Sequence, residues 1–195
     1  MAEPLLTHSL KKENKNLNIP NILAAFRIVL APAMLWFLVF RDIDMLNHWH
    51  KSWFDYFAAL IFVIASVTDF FDGYIAREFD QMTSLGAILD PLADKMLILA
   101  GFLGLVYIGR ADVFAIFLML SREFFITGLR VVAVSQGQDV SSTMAGKIKT
   151  VVQMFAIGFL IMNWPYATEL LWVAVFFTIY SGFEYMRNFI NKQKT

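Results

Sequence analysis

Asp69 and Asp72 stand three residues apart and Asp90 and Asp94 four apart, so on a helix each pair shares one face. Gly73 and Ala76, four and seven residues after Asp69, fall on that face as well. Folding the intervening chain about its midpoint, between Gln81 and Met82, sets Asp69 opposite Asp94 and Asp72 nearly opposite Asp90. Four carboxylates gathered in this way cannot all stay ionised unless cations lie among them. The chain has no cysteine, and oxygen donors alone suit Mg²⁺ or Mn²⁺ rather than zinc. Two such ions on a carboxylate nest neutralise the attacking and leaving oxygens of a phosphoryl transfer. Gly73 leaves room for a bulky polar substrate against the helix backbone. Arg77, one turn further, can meet a phosphate with both arms of its guanidinium.

The elements that must hold these residues are set by composition. Of the 195 residues 58% are apolar and only 16% charged, with 16 Lys and Arg balancing 16 Asp and Glu. So few charges argue against a soluble or disordered chain, and the absence of a basic excess argues against a nucleic-acid partner. The expected class is all-α: a polytopic membrane protein with six transmembrane helices near residues 19–40, 53–76, 85–108, 112–134, 145–164 and 168–190. Residues 1–18 form a short polar segment before a single membrane domain over 19–195. The first apolar stretch is too long for a signal-peptide core and is read as a retained helix. With both termini in the cytoplasm, nine basic residues (Lys11, Lys12, Lys15, Arg77, Lys147, Lys149, Arg187, Lys192, Lys194) face inward and three (Arg41, Lys51, Arg110) outward. The aspartate cluster then lies roughly 6–15 Å below the cytoplasmic surface of the inner membrane.

Helix capping or simple ion pairing suffices for Asp80 and Asp112, but accounts poorly for four clustered carboxylates with only Arg77 and Lys95 nearby in sequence. The run DGxxAR from Asp72 to Arg77, eight residues, then GxxxDxxxD from Gly86 to Asp94, preceded by Asp69, resembles the signature of the CDP-alcohol phosphotransferase family at every fixed position. That resemblance implies a six-helix membrane fold, a homodimer and two divalent ions. It further implies metal ligation by Asp69, Asp72 and Asp90, and a general base at Asp94 that also touches metal. Asp69, Gly73, Ala76 and Arg77 would hold the CDP moiety.

The acceptor is read from three further stretches. Residues 18–27 (NIPNILAAFR) resemble the opening of family members whose acceptor is sn-glycerol 3-phosphate, with Ala24 where threonine is usual. Arg27 has two readings, snorkelling to the interface or lining the site. Ser121-Arg122-Glu123 through Arg130, and Gly146-Lys147-Ile148-Lys149-Thr150, resemble the same members. Arg122 and Arg130 are eight residues apart, about 80° around a helix, so both can face one cavity. By that resemblance Arg122, Arg130 and Lys147 grip the acceptor's phosphate. Lys149 points about 200° from Lys147, so only one of the two is assigned. The implied reaction joins CDP-diacylglycerol to sn-glycerol 3-phosphate and releases CMP. Rival readings are another acceptor (inositol phosphate, serine or phosphatidylglycerol) or a divalent-cation or proton transporter, which would spread its ionisable groups across the bilayer.

Overall fold

The computed structural model describes residues 19–42, 50–78, 86–135 and 143–193, without the side chains at 19–20, 42, 70–78, 86–88, 90–91, 134 and 192–193. Every regular element among these residues is helical: α1 (Ile19–Val39, continued by a 3₁₀ turn over Phe40–Asp42), α2 (Lys51–Glu78), α3 (Gly86–Tyr107), α4 (Val113–Ser135), α5 (Met144–Met162) and α6 (Ala167–Gln193). Stretches within α1, α2 and α5, at Asn21–Val39, Lys51–Asp69 and Met144–Met162, are long and apolar enough to cross a membrane. The remaining helices, of 22, 23 and 27 residues, have the length. They carry charges well inside it, among them Asp94 and Lys95 on α3 and Arg122, Glu123 and Arg130 on α4.

The buried core is mostly apolar, but polar and charged side chains lie within it and many large apolar ones face outward. Arg27, Asn21, Lys149, Gln153, Thr178 and Ser181 are buried, while Phe114, Phe117, Phe124, Val131, Phe155 and Phe176 are exposed. Large apolar side chains facing outward and polar ones facing inward are what a lipid solvent selects, and they mark a multi-pass membrane protein.

The chain divides into two compact units, Met1–Gly104 and Leu105–Thr195. In the first, α1 packs along α2. Its buried stripe is Ala24, Arg27, Ala31, Met34 and Leu38, alternating steps of three and four as in a coiled-coil seam. The facing stripe on α2 includes Ala58, Phe62 and Ala65. Alanines let the two backbones approach closely, which is how apolar helices associate where water supplies no drive. Arg41 donates to Asp55 Oδ1 at 2.9 Å where α1 ends and α2 begins, and Phe37 packs on Phe54 and Phe57, so the two helices run antiparallel. Helix α3 meets α1 at both ends of a parallel pairing. Asp94 reaches Arg27. Ten residues on, a Cβ added at Gly104 would stand 2.7 Å from Leu38 Cδ1 and 3.0 Å from its Cβ.

In the second unit α6 packs against both α4 and α5, and the helix ends explain its turns. α3 ends with Gly109 at φ +71, where Gly109 N–H donates to Val106 O and Arg110 N–H to Leu105 O. This left-handed close favours glycine. Asp112 then caps α4 by accepting from Ala115 N–H at 2.9 Å, the structural role expected for it. Thr143 caps α5 through Gly146 N–H. α5 closes on Asn163 (φ 52), with Asn163 N–H to Leu160 O, Trp164 N–H to Phe159 O, and the Trp164 ring edge-on to Phe159 at 5.1 Å. Arg110 donates to the carbonyl of Ile161, placing a cation on the negative end of α5.

Candidate active site

Two ion clusters, one in each unit, contain three of the sequence-selected residues whose side chains the structure describes: Asp69 and Asp94 in the first and Arg122 in the second. In the first unit Asp69 continues the buried stripe of α2, four residues after Ala65, and Asp94 follows Ala93 on α3. Both carboxylates converge on one atom: Arg27 Nη1 donates to Asp69 Oδ1 and to Asp94 Oδ1, the latter at 2.6 Å. The Arg27 side chain is wholly buried, whereas the Asp69 and Asp94 side chains are 29% and 49% exposed. The guanidinium is therefore sealed among helices while its two anions are partly exposed. Arg27 is wholly buried against Asp69 and Asp94, unlike a side chain that snorkels to the interface.

Asp72, Gly73, Ala76 and Arg77 lie on the last turns of α2 and Asp90 on the first turns of α3. Their side chains lie outside the described residues, and with them the fourfold carboxylate cluster. Among the described residues no group of three or more His, Cys, Asp or Glu side chains converges. The donor chemistry of the described pair nonetheless suits a hard cation. Two carboxylate oxygens that meet one nitrogen are also near enough to share one small ion, and no softer donor accompanies them.

In the second unit the polarity is reversed. Glu123 Oε1 accepts from Arg122 Nη1 at 3.2 Å and from Lys149 Nζ. Arg122 Nη2 donates to Ser181 Oγ at 3.0 Å, and that hydroxyl donates onward to Thr178 O at 3.0 Å. The Arg122 stem lies along α6 where Gly182 has no side chain: a Cβ there would be 3.2 Å from Arg122 Cγ. Of the two lysines that open α5, Lys149 is buried beside Arg122 and Glu123 while Lys147 is exposed, as their opposed directions on a helix require. Arg130, two turns beyond Arg122, is exposed. This cluster offers cationic hydrogen-bond donors suited to an oxyanion.

Sequence reasoning left four participants out or unassigned: Arg27, Ser181, Gly182 and Lys149. Arg27 belongs to the three-and-four register of Ala24, Ala31, Met34 and Leu38, a signal visible in the sequence once that seam is drawn. Ser181 and Gly182 follow Thr178 in an otherwise apolar stretch of α6, a weaker mark. Nothing local to residues 147–149 says which lysine turns inward.

A profile of the CDP-alcohol phosphatidyltransferase family matches residues 17–180. A Bacillus subtilis protein is 44% identical over 135 residues, covering 65% of this chain and 70% of its own length. A Rickettsia typhi protein is 35% identical over 179 residues, covering 87% and 96%, and one from Shigella flexneri is 34% identical over 178 residues, covering 87% and 93%. All three relatives bear the name CDP-diacylglycerol–glycerol-3-phosphate 3-phosphatidyltransferase.

Proposed function

The chain belongs to the CDP-alcohol phosphatidyltransferase family, and from that premise we propose that it transfers the phosphatidyl group of CDP-diacylglycerol to sn-glycerol 3-phosphate, giving phosphatidylglycerophosphate and CMP. The observation that carries this reading is the shared name of relatives from three different bacteria, aligned over as much as 96% of their own length. The two clusters support it, since one gathers carboxylates and the other gathers cations.

In the proposed reaction Asp94 accepts the proton of the acceptor's primary hydroxyl, a general base whose exposed carboxylate can reach solvent-borne substrate. The acceptor oxygen then bonds to the phosphorus bearing the diacylglycerol, and the bond from that phosphorus to CMP breaks. Asp69, Asp72, Asp90 and Asp94 would hold two divalent ions, Mg²⁺ or Mn²⁺, which when bound supply charge neutralisation along the diphosphate. Asp69, Gly73, Ala76 and Arg77 orient the CDP portion. Arg122, held in place by Glu123 and Ser181, takes the phosphate of the acceptor together with Arg130, and Lys149, buried beside Arg122, replaces the exposed Lys147 as the lysine of that cluster. The same reading places six helices across the inner membrane, the termini and the site toward the cytoplasm, and two copies of the chain in a homodimer.

Purified protein in lipid nanodiscs, given CDP-diacylglycerol and each candidate acceptor in turn, tests the assignment. Glycerol 3-phosphate alone should drive CMP release, and the lipid formed should have the mass of phosphatidylglycerophosphate. A chelator should stop the reaction and added Mg²⁺ or Mn²⁺ restore it. Release driven equally by serine or inositol phosphate, or undiminished after chelation, overturns it.

A further inference from the structure

Arg27 has no assigned task, yet it is among the largest fully buried side chains in the protein. The other buried residues described in α1 are Asn21, Ala24, Ala31, Met34 and Leu38, none of which carries a negative charge. A guanidinium does not lose its proton in proteins, and an isolated one inside a membrane helix is expensive. Its charge must therefore be met by anions from other helices, and the structure supplies Asp69 from α2 and Asp94 from α3 on a single nitrogen. These are the described members of the set proposed above to bind divalent ions. Arg27 thus stands where two ligands converge, with a charge of the same sign as the ion they would bind.

We propose that Arg27 is a positioning residue that serves as an internal stand-in cation, holding Asp69 and Asp94 together while no divalent ion is bound and yielding at least one of them when an ion arrives. The inference rests on reading the aspartates as a divalent-ion site. Two consequences follow from one contact. Without metal, Arg27 ties α1, α2 and α3 together and spares two carboxylates from facing each other uncompensated. With metal, the ion must displace or share that contact, so Arg27 lowers the affinity of the site and makes binding readily reversible. A residue that merely filled the seam would have the first effect without the second.

The test uses full-length protein in nanodiscs without substrates, comparing wild type, R27Q and R27K by thermal unfolding and by Mn²⁺ binding followed with electron paramagnetic resonance. R27Q should unfold at a clearly lower temperature in chelator, recover most of that loss in saturating Mn²⁺, and bind Mn²⁺ about tenfold more tightly than wild type. R27K keeps the charge but lacks the fork that fixes two oxygens, and should fall between the two in both measurements. If R27Q does not fold, R27K alone decides: Mn²⁺ affinity equal to or weaker than wild type overturns the proposal. For a folded R27Q, an equal loss of stability with and without metal, or weaker Mn²⁺ binding, overturns it too. Wild-type protein that binds no Mn²⁺ defeats the metal-site reading itself, an outcome distinct from a wild type that binds and a variant that does not respond.

Discussion

The two units solve the same problem with opposite signs. In the first, one guanidinium is shared by two carboxylates, Arg27 with Asp69 and Asp94. In the second, one carboxylate is shared by two cations, Glu123 with Arg122 and Lys149. In both, the shared central ion comes from one helix and at least one of its partners from another, so each ion pair also ties helices together. The difference lies in what each arrangement can still accept. A pair of carboxylates around one cation favours a further cation, and a pair of cations around one carboxylate favours an anion such as a phosphate. A membrane interior tolerates a charge when a partner of opposite sign is built in, and at each cluster the proposed ligand adds to the scarcer sign.

The largest expected effect breaks the first cluster. Asp94→Asn should lower kcat by about a thousandfold while CDP-diacylglycerol still binds; turnover within a few-fold of wild type, measured as CMP release, would remove Asp94 from the role of base. Next comes the second cluster. Glu123→Gln keeps the shape but strands Arg122 and Lys149 with uncompensated charge, a cost of about 3 kcal/mol. The melting temperature should drop by roughly 6–12 °C, and glycerol 3-phosphate should stabilise the variant more than it stabilises wild type. A melting curve unchanged from wild type would show that the pairing carries no weight.

Smaller effects separate packing from binding. Gly104→Ala drives a methyl group into Leu38 and should destabilise the first unit by about 1–3 kcal/mol with little change in KM for either substrate. Gly182→Ala presses on Arg122 Cγ by only a few tenths of an ångström. We expect a KM for glycerol 3-phosphate raised about threefold, worth roughly 0.7 kcal/mol, at nearly constant melting temperature. Should Gly182→Ala instead alter KM for CDP-diacylglycerol alone, Arg122 would belong to the other substrate.

Much of this was legible in the chain itself. Apolar stretches of about 20 residues and a 16% charged share determine helices and a lipid solvent, and the six helices overlap the six expected stretches, with α2 two residues longer at each end. The spacing about the 81–82 midpoint set Asp69 and Asp94 at equal distances from a turn, and the fold brings both to one nitrogen. Helical periodicity is local, so it is written wherever the residues are.

What only the tertiary structure decided is which cation those carboxylates meet and which lysine turns inward. Arg27 lies 42 residues from Asp69 and 67 from Asp94 in sequence, Lys149 lies 26 from Glu123, and Ser181 lies 59 from Arg122. No window of sequence contains such pairs. They form because the seam of α1 faces α2 and α3, and because α4, α5 and α6 turn particular faces to one another. Helix rotation of that kind is settled by the packing of whole surfaces, alanine against alanine and glycine against a neighbouring side chain, and not by any single residue's preference.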